Sequence, residues 1–200
     1  VCIMSEPTLL YLHGFLSSPA SQKARETLDY GSQHGFRLHI PALTDGPAAT
    51  VVMLRRWLEE QDSSQLGVIG SSLGGFYASV LAEAHDLPAV LINPAVRPHQ
   101  YWRSYVGSHQ NFHTGESHEV TPQHVAELEI LDPGEIARPS NYLVFLQRQD
   151  EVLDYQQAVD RFGAEQCVIR DDGTHAYENF AAELPAVFRF LLSRIDARVR

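Results

Sequence analysis

One lysine, Lys23, and two cysteines, Cys2 and Cys167, are all that this 200-residue sequence holds of those two residue types. Basic side chains are scarce as a class: 15 Lys and Arg face 25 Asp and Glu, for a formal net charge of -10. A chain so charged offers no basic face to a polyanion, which argues against nucleic acid or an anionic membrane surface as a partner. Two cysteines make no paired framework, so no disulfide is needed and a reducing, cytoplasmic setting is the simpler expectation. Long apolar runs are missing as well. The opening "VCIMSEPTLLYLHGF" has neither the positive n-region nor the cleavage site of a secretory signal, and its apolar run falls far short of the ~20 residues that span a bilayer. No membrane insertion is expected. Met4 reads as the initiator, with Val1 to Ile3 as an upstream extension. Absent too are the Lys-Ser/Thr of a phosphate-binding loop, Gly-x-Gly-x-x-Gly spacing and His-Glu-x-x-His, so "GSSLGG" is no nucleotide site and no zinc-protease motif is present. Internal repeats and low-complexity tracts are also lacking.

What is present is core material. Hydrophobic residues make up 44% of the chain, enough for one domain, drawn here as residues 4–196. Short apolar runs alternate with helical patterns, the signature of a parallel sheet wrapped by helices. Strands are expected at Thr8 to His13, Phe36 to Ile40, Leu66 to Gly70, Ala89 to Ile92, Asn141 to Leu146 and Cys167 to Arg170. Helices are expected near Ser21 to His34, Ala48 to Gln61, Leu73 to His85, Tyr155 to Phe162 and Tyr177 to Ile195, the last kinked or split by Pro185. With the first strand between the second and third, the order is 2-1-3-4-5-6 and a crevice opens where the chain reverses direction. One connection is too long: Asn93 to Ser140 far exceeds the dozen or so residues that a crossover requires. This insertion, about residues 97–140, is rich in aromatics and histidines and is expected to form a small lid or pocket wall. Thr121 should cap a helix starting near Pro122.

The stretch "LGVIGSSLGGF" carries the chemistry. A serine displayed on a tight strand-to-helix turn needs small residues two positions before and after it. Ser72 has Gly70 and Gly74, whereas Ser71 has Ile69 and Leu73, so Ser72 is the candidate nucleophile. Its hydroxyl needs a base and an orienting carboxylate at the same end of the sheet. His175, in "DDGTHAYENF" after the sixth strand, is the expected base. Asp150, in "QRQDEVLDY" after the fifth, is the expected acid, with Asp154 capping the next helix. The order Ser, Asp, His is that of an α/β-hydrolase. An oxyanion hole is expected from the Leu73 and Phe15 N–H groups, with Gly14 opening the turn. His13 reads as a residue that hydrogen-bonds this loop into shape. Tyr101, Trp102 and Phe112 are candidate pocket residues. A metal site on His109, His113 and His118 is disfavoured, since "HQNFHTG" is poor helix material and reads as a solvated loop.

The motifs "LLYLHGFLSSP", "GVIGSSLGGFYA", "LINPAVRP", "DEVLDYQQAV" and "GTHAYENF", taken together, resemble those of the YqiA-like esterases of the α/β-hydrolase superfamily. The resemblance runs from Leu9 to Phe180 and omits Val1 to Ile3. It implies a three-layer α/β-hydrolase fold without a large cap domain, and a triad carried onto Ser72, Asp150 and His175. It implies a small-molecule substrate, a short acyl ester or an acyl-CoA thioester, with no cofactor and no metal. For a thioester, Arg97 and Arg103 are the cations that the insertion offers the CoA phosphates. The alternative of another class is a hydrolase fold kept as a non-catalytic binding protein.

Overall fold

The apolar runs become strands whose two faces are both covered. The computed structural model describes residues 6–43, 46–111 and 114–199; Met4 and Val1 to Ile3 lie outside them. The strands are β1 (Thr8–Leu12), β2 (Arg37–His39), β3 (Leu66–Ser71), β4 (Ala89–Ile92), β5 (Gly107–Gln110), β6 (Ser117–Val120), β7 (Tyr142–Gln147) and β8 (Cys167–Arg170). Six of them form one wholly parallel sheet, ordered β2-β1-β3-β4-β7-β8. This is the expected order, β7 and β8 being the fifth and sixth strands foreseen.

The helices are α1 (Gln22–Gln33), α2 (Pro47–Glu59), α3 (Leu73–His85), α4 (Pro122–Leu131), α5 (Tyr155–Phe162) and α6 (Leu184–Val199). The period-two alternation of a strand assigns side chains to layers. Leu10 and Leu12 of β1 pack with α2, α3, α4 and α5, while Leu9 and Tyr11 pack with α1 and α6. The result is three layers, helix on sheet on helix. Among the described residues, no helix is long and apolar enough to cross a membrane.

Two regions depart from expectation. The helix drawn from Tyr177 begins as a short 3-10 turn, Phe180–Glu183, and becomes α6 only at Leu184. Tyr177 and Asn179 have φ of 59° and 58°, left-handed values that no α-helix can continue. Pro185 falls in the first turn of α6, where its missing N–H has no intrahelical acceptor to lose. The insertion holds an antiparallel hairpin, with His109 opposite His118, where the "HQNFHTG" stretch was expected to be a solvated loop. Alternate β5 residues are half-buried, His109 among them, and its ring lies 5.5 Å from that of Phe15. Phe112 and His113 lie outside the described residues. Thr121 does cap α4, accepting from the His124 N–H at 3.2 Å.

Arg161 of α5 fastens the end of α4 to the body of the fold. Its side chain is 4% exposed and donates to Asp132 Oδ1 at 2.5 Å, to the Val96 carbonyl at 3.2 Å and to the Gly134 carbonyl at 2.5 Å. Burial alone would raise the Asp132 carboxyl, but the Arg161 and Gly134 donors and the charges of Arg161 and His99 hold it below the usual carboxylate range. Replacing Arg161 by Ala removes the full positive charge on that carboxylate, leaving the Gly134 N–H and His99 beside it, and should cost about 3 kcal/mol in urea unfolding at neutral pH. Because the folded pKa is depressed, this stability is present above the unfolded value of about 3.9 and fades as the pH falls below it. The gap between wild type and Arg161→Ala should therefore narrow in acid. A cost under about 1 kcal/mol at pH 7 would show that this pair anchors nothing.

Candidate active site

The turn between β3 and α3 is where the local sequence matters most. Ser72 sits there at φ 55° and ψ -121°, a region that a non-glycine residue occupies only under constraint. A Cβ on Gly70 would lie 2.3 Å from the Gly74 carbonyl oxygen, and one on Gly74 would lie 2.0 Å from that of Leu12. Both flanking positions therefore exclude any side chain, as the spacing argument requires. The turn is further held by Ser72 N–H donating to the Ile92 carbonyl at 3.0 Å and by the Ala95 N–H donating to the Ser72 carbonyl at 3.0 Å. Ser71 is instead the last residue of β3 and is buried.

Ser72 Oγ lies 2.9 Å from His175 Nε2, and His175 Nδ1 lies 2.8 Å from Asp150 Oδ2. With Nδ1–H donating to the carboxylate, the Nε2 lone pair is left to accept the serine proton. Asp150 follows β7 and is itself fixed, since its Oδ1 accepts the N–H groups of Val152 and Leu153 at 2.8 Å each. Asp154 does different work: it caps α5, accepting from the Gln156 N–H at 2.9 Å.

The loop bearing His175 is stitched down by residues that the motif reading did not single out for a role. Asn93, at the carboxyl end of β4, is 3% exposed. Its amide nitrogen donates to the carbonyls of Thr174 at 3.1 Å and His175 at 3.2 Å, and its oxygen accepts the Gln147 N–H at 2.9 Å. The Gln147 side chain in turn exchanges two hydrogen bonds with the Glu178 backbone, at 3.1 and 2.9 Å. Lys23 Nζ donates to the Ala176 carbonyl. The His175 N–H donates to the Glu151 carboxylate at 3.0 Å, which holds that carboxyl below its ordinary range. The available signal was position: a polar residue directly after a buried strand, at the end of the sheet where Ser72 sits.

On the other side of Ser72 lies the β1–α1 loop. A Cβ on Gly14 would come within 3.1 Å of Ser72 Cβ, so glycine lets the loop close on the serine. Phe15 follows directly. Leu73 opens α3, and its N–H is one of the first-turn donors that a helix leaves without an intrahelical acceptor. His13 is 4% exposed, and burial lowers its pKa, opposed by the Gly14 carbonyl and aided by His118. Neutral, it donates from Nδ1 to the Gly14 carbonyl at 2.9 Å and accepts the Leu43 N–H at Nε2 at 3.1 Å. The loop-shaping role expected of it is what it does.

Two hollows meet at this loop. A cavity of about 140 Å³ is bordered by Phe15, Leu43, Leu73, Trp102, Val120 and His118. A cleft of about 920 Å³ holds Ser72 and His175 in its wall. His13, Gly14 and Phe15 border both. Trp102 is buried with its ring 4.9 Å from that of Phe15. Tyr101 lines neither hollow and packs on Tyr105; burial, then Tyr105 and the Asp150 charge, raise its hydroxyl above the ordinary range.

The model of UPF0227, described as an uncharacterised protein family, matches residues 8–192. The chain belongs to the UPF0227 family. A UPF0227 protein of Shewanella sediminis is 23% identical over 186 residues, covering 91% of this chain and 98% of that one. The YqiA-like resemblance is thereby borne out as family membership. Solved structures carry the same fold at low identity. Alpha/beta hydrolase domain-containing protein 10 from mouse superposes with a TM-score of 0.73 at 14% identity, covering 96% of this chain and 92% of that one. Est1E from Butyrivibrio proteoclasticus gives 0.67 at 15% identity, covering 95% and 88%. The esterase domain of a Rhodothermus marinus protein gives 0.63 at 19% identity, covering 98% and 89%. The UPF0227 chain thus has the α/β-hydrolase fold.

The Asn93 amide gives this site a direct test. Asn93→Asp keeps the size and the tolerance of the φ of 40° found there but turns a donor into an acceptor facing two carbonyls. We expect kcat to fall by about 10- to 100-fold, the equivalent of one or two lost hydrogen bonds to the histidine loop, with KM little changed. An unchanged kcat in a folded variant would mean that the loop holds His175 without it.

Proposed function

We propose that the protein is a serine hydrolase of carboxylic esters, working through an acyl-enzyme on Ser72. One observation carries this reading: the unbroken relay from Ser72 Oγ through His175 to Asp150, at 2.9 and 2.8 Å. Ser72 Oγ attacks the ester carbonyl carbon while its proton passes to His175 Nε2, and the Asp150 carboxylate stabilises the imidazolium. The negative oxygen is received by the N–H groups of Leu73 and Phe15. Collapse breaks the bond to the leaving oxygen, which takes the proton from Nε2. Water, deprotonated by the same imidazole, then adds to the acyl carbon and releases the acid and Ser72.

The fold is shared with a protein described as an esterase domain and with Est1E, which has been solved with ferulic acid bound. Both likenesses support an acyl substrate. The unit that acts is a single domain over residues 4–196, with the insertion at about 97–140 serving as a pocket wall. An ester is favoured over an acyl-CoA thioester by the net charge of -10; Arg97 and Arg103 border neither hollow, and the cations beside the Ser72 cleft are Lys23 and Arg25. A non-catalytic binding role has no use for an assembled relay.

A fluorophosphonate probe should label the protein at Ser72, with labelling abolished in Ser72→Ala and largely kept in Ser71→Ala, as read by peptide mass mapping. An adduct on Ser71, or none on folded protein, would defeat the assignment. Among the aspartates, Asp150→Asn should lose on the order of 10⁴ in kcat, as the same change does in a serine protease. Asp154→Asn should keep its activity, because Asn caps a helix about as well as Asp. The reverse pattern would move the acid to Asp154.

A further inference from the structure

We infer that Glu151 is a positioning residue of the relay: its carboxylate holds the peptide unit ahead of His175, so that the imidazole stays aimed at Ser72. This rests on the acyl-enzyme reading above and adds a residue to it. Asp150 fixes one atom of the ring, Nδ1, at 2.8 Å. A single hydrogen bond leaves the ring free to swing about that contact, and a swing carries Nε2 away from the Ser72 hydroxyl. The histidine therefore has to be held by its main chain as well. The Thr174 carbonyl and the His175 N–H belong to one trans peptide unit and point in opposite directions. The Asn93 amide donates to that carbonyl at 3.1 Å, and the Glu151 carboxylate accepts that N–H at 3.0 Å. Held at both edges, the peptide plane cannot rotate, and the His175 Cα from which the ring hangs keeps its place and direction.

Glu151 can do this because it stands next to Asp150 in a turn that is itself fixed. Asp150 Oδ1 accepts the Val152 and Leu153 N–H groups at 2.8 Å each. One turn thus presents two carboxylates to the same histidine, the first to its ring and the second to its backbone. Any shift of the turn moves both contacts together, which keeps ring and main chain in register. The His175 N–H, then the N–H of Glu151 itself, hold the Glu151 carboxyl below its ordinary range, so at neutral pH it is an anion, the stronger form of acceptor. Its side chain is exposed and borders neither hollow. The part it plays is therefore geometry and not substrate binding. Length matters too: the contact is made by Oε2, and an aspartate in its place would end one methylene short.

The rate of fluorophosphonate labelling at Ser72, measured on the full chain, reads activation of the nucleophile directly. Glu151→Ala should label about tenfold more slowly than wild type, with the melting temperature unchanged. Glu151→Gln keeps the oxygen acceptor without the charge and should recover the rate to within about twofold of wild type. Glu151→Asp keeps the charge without the reach and should be as slow as Glu151→Ala. With 4-nitrophenyl butyrate as the probe ester, the loss in Glu151→Ala should fall on kcat, with KM within about twofold of wild type. Labelling of Glu151→Ala at the wild-type rate, a Glu151→Gln as slow as Glu151→Ala, or a loss confined to KM would each overturn the role. The two failures are separable. Wild-type Ser72 labelled, with Glu151→Ala labelled equally fast, overturns the role of Glu151 alone, whereas wild-type Ser72 unlabelled overturns the acyl-enzyme reading and this inference with it.

Discussion

Holding Ser72 at φ 55° and ψ -121° costs on the order of 1–3 kcal/mol in backbone strain, and the surrounding sheet exists in a form that can bear it. The turn lies between the ends of β1 and β4, the two strands that pair with β3 on either side. Leu9 to Leu12 and Ala89 to Ile92 have no measurable exposure, so these neighbours have no room to yield. The Ser72 N–H and carbonyl are both committed to backbone at the end of β4 and just past it, at Ile92 and Ala95. Relaxing the turn would break those bonds or drive Gly74 into the Leu12 carbonyl. The strain is thus confined to one residue whose hydroxyl it displays, which is the arrangement expected of a rigid scaffold carrying a reactive group.

The histidine poses the opposite problem. His175 follows β8, a four-residue edge strand that is half-exposed, and the buried anchors of its loop, Tyr177 and Phe180, come only after it. Polar groups supply the constraint. Asn93 from β4 and Gln147 from β7 reach across the carboxyl ends of the sheet to the backbone of residues 174, 175 and 178. The amides sit where water is excluded, and there a satisfied bond is firm and a lost one expensive. The serine half of the site is held by packing, and the histidine half by hydrogen bonds together with the buried Tyr177 and Phe180.

This difference explains what could be read from the sequence. The elbow follows from spacing alone, since Gly70 and Gly74 leave a serine between them with one possible geometry. The placement of Asp150 and His175 follows from topology, because both come after parallel strands and must emerge at the end of the sheet where Ser72 stands. Asn93 was visible only as part of a motif, because nothing in a sequence says which carbonyl an amide will face. The β5–β6 hairpin escaped notice for a related reason: "GSHQ" and "SHEV" have no hydrophobic alternation, and their strand character comes from lying against Phe15. Tyr101 and Trp102 are adjacent and equally aromatic, and only the local 3-10 geometry sends Trp102 inward.

Phe15 joins the insertion to the reacting atoms. Its ring is met by Trp102 at 4.9 Å, His109 at 5.5 Å and His118 at 6.4 Å, while its backbone follows the glycine that closes on Ser72. The far end of the insertion is fastened to α5 through Asp132 and Arg161. A segment pinned at one end to the body and packed at the other on the β1–α1 loop cannot shift without moving that loop. The insertion that walls the smaller hollow therefore also sets the position of the Phe15 backbone. The cleft meets the site through the His175 loop, which is held from the other side of the sheet by Asn93 after β4 and Gln147 at the end of β7, so the two sides of Ser72 are fixed by different means, ring packing on one and buried amides on the other.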